Sequence, residues 1–501
     1  MTKFLETVNR IVWGAPALIL ILSVGLYLSL RTGFIQLTFF PKALKAFIGQ
    51  FRKGEHTDAV SPFRALCTAL AATVGTGNIA GVAGAIALGG PGAIFWMWVS
   101  AILGMVTKFT EATLAVRFRS ESSQSEYIGG PMYMIRKGLP RRFWWLAGVY
   151  SFFGVIAAFG VGNATQVNAM ITGLNNALPL FGLEGSLVLD FMIGIFLALI
   201  IGAMLVGGAR RIGAVAETLV PAASVLYILL CFGVLFCNSG RIPFAFRTII
   251  EGAFSPSAVT GGIFGSGFQA LRIGISRGVF TNEAGMGTAS IAHAGAKVKH
   301  PVEQGLMGII EVFLDTIVIC TMTALAILCS GVPIPYHTDP GAELTVLAFA
   351  SVYGPWIKVV IAIFLSVFAF ATILGWGLYG IRCAQYLFGE HVWRKFVLLQ
   401  ATAVILGAVL NTRTVWLLSE TVNGLMAIPN LIALIALSPE LFRLIQDYRN
   451  KSGSLSANGG TYEYIHQRKS MRAFSDAEIP SSGRRRRTQR EENIPSEYRS
   501  A

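Results

Sequence analysis

Two hydrophobic stretches of this chain are interrupted by glycine-rich backbone, and these interruptions restrict its possible folds more than any other feature. One stretch, Leu66 to Trp98, contains Val74-Gly75-Thr76-Gly77-Asn78; the other, Gly262 to Gly295, contains Thr281-Asn282-Glu283-Ala284-Gly285-Met286-Gly287. Each is long enough to enter a bilayer, yet closely spaced glycines disfavour a continuous helix. In hydrocarbon an unwound segment survives only where protein surrounds it or where it lines a watery cavity, because its N–H and C=O groups find no other partners. Breaks at matching positions in two halves of one long apolar run therefore predict a ligand site near the bilayer midplane.

The rest of the chain agrees with a membrane setting. It has 501 residues, 54% hydrophobic and 13% charged, against about 25% charged in soluble domains. Segments of about 20 apolar residues are read near 12–30, 66–90, 93–116, 146–172, 186–207, 213–237, 260–289, 305–331, 356–388, 396–412 and 415–437. The expected fold is an all-α polytopic membrane protein with eleven transmembrane helices. The net charge is +14, but the basic residues follow alternate loops instead of gathering on one domain, which argues against a nucleic-acid partner. One set of loops holds Arg31, Lys42, Lys45, Arg52, Lys53, Arg64, Arg117, Arg119, Arg136, Lys137, Arg141, Arg142, Arg210, Arg211, Lys297, Lys299, Arg382, Arg394 and Lys395. The other holds only Lys3, Arg10, Arg241, Arg247, Lys358 and Arg413. The positive-inside rule then places the N-terminus outside and the C-terminus in the cytoplasm of a cell membrane. Cys67, Cys231, Cys237, Cys320, Cys329 and Cys383 show no metal spacing and are expected to pack as small apolar groups. No small-residue cleavage site precedes Arg31, so the first apolar stretch is expected to be a retained helix.

Residues 1–63 form a peripheral N-terminal helix and cytoplasmic loop in this scheme. The other ten spans divide into 64–237 and 263–440, joined by an extracellular loop at 238–262. Five spans per half force the second half to be inverted relative to the first. Pro333, Pro335 and Pro340, followed by the short apolar stretch Glu343 to Tyr353, predict an outer hairpin capping the cavity. From 441 to 501 a polar composition, with Gly459-Gly460 and the run Arg484 to Arg487, predicts a disordered basic tail able to touch anionic lipid.

Gly75-Thr76-Gly77-Asn78 carries the strongest chemistry. N–H groups of the half-helix after the break suit an anion such as a carboxylate, and carbonyls freed before it suit a small cation. The spacing of Gly77 and Gly81 also allows close helix packing. Gly274-Ile275-Ser276-Arg277-Gly278 matches a nucleophile elbow in letters, but it lies in a membrane segment with no strand before it, and no enzyme is expected. Charged groups inside spans are costly. Glu283, Glu311 and Asp315 are candidates for ion coupling or for pairing with Arg272 or Arg277. Glu111, Glu217 and Glu303 fall near span ends, where interfacial roles are expected. Gln166 and Asn168 are buried amides suited to a zwitterion or to helix bonding. Trp376, in Thr372-Ile373-Leu374-Gly375-Trp376-Gly377, is either a pocket wall or packing.

Five motifs carry a resemblance. They are Gly75-Thr76-Gly77-Asn78-Ile79-Ala80-Gly81-Val82, Gly89-Gly90-Pro91-Gly92-Ala93-Ile94-Phe95-Trp96-Met97-Trp98, Gly129-Gly130-Pro131-Met132-Tyr133, Asn282-Glu283-Ala284-Gly285-Met286-Gly287, and Asp315-Thr316 followed by Cys320-Thr321. With them the chain resembles the alanine or glycine:cation symporter family, the sodium:alanine symporters of the amino acid-polyamine-cation superfamily. The resemblance implies a leucine-transporter-like fold, a 5+5 inverted repeat with one peripheral N-terminal helix. It also implies sodium-coupled symport of alanine or glycine, with sodium as coupling ion and no cofactor. By similarity Thr76, Gly77 and Asn78 would hold the substrate carboxylate, Gln166 would reach its polar end, and Gly285, Met286 and Trp376 would enclose its side chain. Sodium would be bound by Ala71 and Val74 before the first break and by Phe368 and Thr372 on the eighth core helix. Ala371 departs from the hydroxyl expected beside Thr372, and Ile381 stands where many relatives have an acid. The alternatives to sodium symport are proton coupling through Glu283 or Asp315, or an amino-acid-gated channel or sensor.

Overall fold

The computed structural model describes residues 7–9, 12–50, 60–122, 126–255, 267–409 and 412–457. The Gly459-Gly460 pair, the run Arg484 to Arg487 and part of the 238–262 loop lie outside the described residues. The longer helices, in chain order, are α1 (Ala15–Thr32), α2 (Phe40–Gln50), α3 (Pro62–Thr73), α4 (Gly77–Gly89), α5 (Ala93–Arg117), α6 (Pro131–Gly138), α7 (Arg141–Phe181), α8 (Leu187–Val206) and α9 (Gly208–Cys237). They continue with α10 (Ile242–Phe254), α11 (Gly267–Asn282), α12 (Thr288–His293), α13 (Pro301–Ser330), α14 (Glu343–Tyr353), α15 (Ile357–Phe388), α16 (Trp393–Val409) and α17 (Thr412–Ala457).

Local signals set several of the ends. Ser61 accepts the Arg64 N–H and Pro62 occupies the first turn of α3, a position where its missing N–H costs nothing. Gly331, in the left-handed region at φ 76°, closes α13. Among the described residues eight helices are long and apolar enough to cross a membrane, or nine when the bent pair α3–α4 counts as one span. The other two of the eleven expected spans coincide with α1, of 18 residues, and with α11 and α12, of 16 and 6.

α5 packs along α13 and α11, α7 along α15, α8 along α16, and α9 along α3. Small residues allow these close approaches: a Cβ on Gly274 would stand 2.2 Å from the Ala93 carbonyl oxygen, where α11 crosses α5. The buried apolar residues form one cluster around α3, α5 and α13 and a second around α7 and α15.

Two boundaries differ from expectation. The 238–262 loop contains α10, a helix of 13 residues. The polar tail does not begin at 441, because α17 runs on to Ala457 and Leu441, Leu444 and Ile445 are buried. Pro429 and Pro439 lie inside that helix, so proline did not mark its end. The segment expected to form an outer hairpin lies on α4: His337 N–H donates to Ala87 O at 3.0 Å and Thr345 Oγ1 to Ile79 O at 3.1 Å.

Candidate functional site

α3 and α4 meet at a bend of 56°. Val74 is extended there (ψ 100°), and the Gly75 N–H donates to Asn78 Oδ1 at 2.8 Å. In an uninterrupted helix that N–H would bond the carbonyl four residues back, which is Ala71. Its diversion to Asn78 frees the Ala71 carbonyl. Beyond the break, Gly77–Gly81 is a π-helical turn, a form common at functional sites.

The second break separates α11 from α12. Glu283 (φ 53°), Gly285 (φ 94°) and Gly287 (φ 77°) all occupy the left-handed region. Glycine adopts it freely, but for glutamate it is strained, and such strain clusters at binding sites. Both oxygens of the buried Glu283 carboxyl are engaged. Oε1 accepts from Trp376 Nε1 at 3.0 Å and Oε2 from Thr288 Oγ1 at 2.6 Å.

One stretch of α13 ties the two breaks together. Asp315 and Thr316 lie in the π-helical segment Phe313–Cys320. Asn78 Nδ2 donates to Asp315 Oδ1 at 2.7 Å, Thr316 Oγ1 to Asp315 Oδ2 at 2.8 Å, and Asn282 Nδ2 to Thr316 Oγ1 at 3.2 Å.

Between the breaks lies a cavity of about 20 Å³, room for roughly one water molecule. It is lined by Ala72, Thr73, Gly75, Thr76 and Gly77 from the first break, Phe280, Thr281 and Glu283 from the second, Val161 and Gln166 from α7, and Thr372 and Trp376 from α15. Thr76 Oγ1 donates to Gln166 Oε1 at 3.2 Å, and Gln166 Nε2 to the Val161 carbonyl at 3.1 Å. The buried Thr372 Oγ1 has no hydrogen-bond partner among the described residues, and it lies 2.8 Å from where a Cβ on Gly75 would stand. Glu283 is the only ionisable side chain in the lining.

Thr76, Gly77, Gln166, Trp376, Thr372 and Glu283 thus converge on one cavity. Asn78 does not line it, since its amide is spent on Gly75 and Asp315. Gly285 faces Leu431 of α17 and Ile21 of α1, and Met286 is fully buried outside the lining. Ala71 and Val74 sit just behind the first break, while the Phe368 ring packs on Tyr227 and Phe364. The expected pairing of acids with Arg272 or Arg277 does not occur. Arg277 binds Asp339 at 3.1 Å and approaches Glu420 at 4.0 Å, and Arg272 is exposed. Glu311 is paired with Lys108 at 3.0 Å and with His293 at 2.8 Å. These acids are buried in the bundle, whereas Arg277 is held by Asp339 of the segment after α13.

Two functional candidates were missed. Lys108 was passed over within an apolar run, and Glu111, expected at the interface, is fully buried. Glu111 Oε1 accepts the N–H groups of Gly285 (3.0 Å) and Gly287 (3.1 Å) and Asn430 Nδ2 (2.7 Å). Opposite charges three residues apart on one helix face, beside an acid on the neighbouring span, were the available signal. Glu217 and Glu303 do behave as span-end groups: Glu217 pairs with the half-buried Arg64 at 2.8 Å, and Glu303 accepts the Lys299 N–H.

A larger cavity, about 220 Å³, opens near the starts of α3 and α9 and the end of α12. Its walls include Thr68, Tyr127, Arg210 and the ion pair of Arg382 with Glu126 (2.8 Å).

A bundle of membrane-length helices in which two unwound segments enclose a small polar cavity is the architecture of a membrane carrier. The chain belongs to the sodium:alanine symporter family, whose model matches residues 1–459. It is 43% identical over 440 residues to the sodium/alanine symporter AgcS of Methanococcus maripaludis, covering 87% of this chain and 94% of that one. It is 37% identical over 450 residues to the probable sodium/glutamine symporter GlnT of Bacillus subtilis, covering 88% and 89%. Among solved structures, MhsT in complex with L-phenylalanine matches with a TM-score of 0.53 at 16% identity, over 75% of this chain and 89% of that one, a likeness of fold. These relatives are transporters, not enzymes.

Proposed function

We propose that this protein is a secondary active carrier that couples entry of sodium to entry of a small neutral amino acid, alanine or glycine, by alternating access of a 5+5 inverted repeat. The observation that carries this reading is the convergence of unmatched oxygen ligands on the first break. The Ala71 carbonyl has lost its helical donor to Asn78, and the Thr372 hydroxyl, without a partner among the described residues, points at the same backbone. Carbonyl and hydroxyl oxygens are the hard donors a small cation takes. Val74 and Phe368 would add backbone carbonyls.

A zwitterion fits the opposite polarity of the two breaks. Its carboxylate would lie on the N–H groups around Thr76 and Gly77, where α4 begins and a helix N-terminus attracts anions. Its ammonium would face Glu283 and the Gln166 carbonyl oxygen. Trp376, fully buried and fixed on Glu283, would limit the side chain to about a methyl group. The Trp376 wall favours alanine or glycine, and the name of AgcS agrees; GlnT is named as a probable symporter of glutamine, a larger side chain. The basic loops favour an outward N-terminus and a cytoplasmic C-terminus. The lock of Arg277 on Asp339 would then close the outer face.

Labelled alanine uptake into proteoliposomes tests the proposal. An inward sodium gradient is expected to accumulate alanine above its external concentration, with glycine competing and glutamine competing poorly. Equal accumulation without a sodium gradient would overturn sodium coupling, and purely downhill flux would favour a channel.

A further inference from the structure

Glu111 lies outside the cavity, yet it holds the second break. Its Oε1 gathers three N–H donors, from Gly285, Gly287 and Asn430. Its Oε2 is buried and has no partner among the described residues, and the same holds for Asn430 Oδ1. The other amide hydrogen of Asn430 goes to the Gly285 carbonyl at 2.9 Å. Asn430 Oδ1 lies 2.7 Å from where a Cβ on Gly287 would stand, beside the break whose Gly287 N–H is held by Glu111 Oε1.

Two buried acceptors without a donor are costly, and a carboxylate charge would add to that cost. One proton satisfies both. Placed on Glu111 Oε2 and directed at Asn430 Oδ1, it completes a cyclic acid–amide pair whose other bond, Asn430 Nδ2–H to Glu111 Oε1, is already present. A second metal cation fits poorly, because the Lys108 ammonium lies three residues away on the same helix and is itself paired with Glu311.

We propose that Glu111 is a protonation site separate from the substrate and sodium sites, whose proton latches the second break to α17. Losing the proton removes the Oε2–H bond and sets Glu111 Oε2 against Asn430 Oδ1, which loosens the tie between Glu111 and α17 and changes how the break at Gly285 to Gly287 is held. The titratable and charged groups that share this interior are Lys108 on α5, Glu311 and, through it, His293 across α13 and α12, Glu283 at the second break, and Tyr150 and Tyr379 from α7 and α15.

Infrared spectroscopy of the full-length protein in lipid nanodiscs tests the site directly. The wild type should show a carboxylic acid C=O band that is lost in Glu111→Gln and shifted in Asn430→Ala, which removes the acceptor. The absence of such a band, or a band unmoved in both variants, would overturn the proposal and favour a water bridging an ionised Glu111. A second arm rests on the transport reading. Uptake by the wild type should change with pH, and that dependence should be lost in Glu111→Gln, whose amide reproduces the protonated geometry. An unaltered pH profile in this variant would also overturn the latch. The infrared arm needs no transport, so a failure of sodium-coupled uptake leaves it decisive.

Discussion

Thr372 and Gly75 approach each other so closely that no side chain fits between them. A Cβ on Gly75 would fall 2.8 Å from Thr372 Oγ1. In the proposed site that hydroxyl is a cation ligand with no competing bond, so Thr372→Val, which keeps shape and removes the oxygen, isolates its contribution. The variant should fold normally and need roughly tenfold more sodium for half-maximal uptake, a loss of about 1.4 kcal/mol. An unchanged sodium titration would remove Thr372 from the cation site. At this scale the cavity was partly legible. Thr76, Gln166, Glu283, Thr372 and Trp376 stood out as polar or bulky residues where apolar ones belong, and the family motifs gave them roles. For Asn78, sequence shows an amide beside a break but not that Asp315, over two hundred positions later, takes its N–H. Glu111 was misplaced because position along a span is a poor guide to depth when the helix is buried on all sides by protein.

At the scale of elements, the two breaks form one unit. Asn78 of the first and Asn282 of the second bond to adjacent residues of α13, Asp315 and Thr316. A shift of one break is thereby felt at the other, as rigid coupling of two half-helices requires. Asn78→Ala would leave the Gly75 N–H and Asp315 without their partner, and buried groups so orphaned cost roughly 1–3 kcal/mol each. The variant should melt at lower temperature and lose alanine binding even though Asn78 does not line the cavity; wild-type thermal stability would contradict its role as the tie. The breaks themselves were readable from glycine. The π-helical turns at Gly77–Gly81, Gly160–Ala164 and Phe313–Cys320 were not, since one extra residue per turn leaves no residue pattern of its own. The second break was readable only in part: the glycines announced it, while the left-handed glutamate ahead of them did not.

On the whole-molecule scale, the two sides of the cavity differ. On one side Arg277 is bound to Asp339 and the hairpin is bonded to α4. On another, the 220 Å³ hollow reaches the starts of α3 and α9, with the Arg382–Glu126 pair on its wall. The pattern of apolar spans and basic loops made the membrane class legible; among the described residues eight or nine helices have the length and apolarity of a crossing, and the stretches at 12–30 and 260–289 are the two expected spans outside that set. The central claim is that sodium and amino acid share the first break, which makes their binding reciprocal. The direct measurement is the dissociation constant of alanine for the purified full-length protein, titrated at increasing sodium with potassium holding ionic strength constant. The constant should fall by roughly 5-fold or more as sodium saturates, and a value independent of sodium would contradict the account.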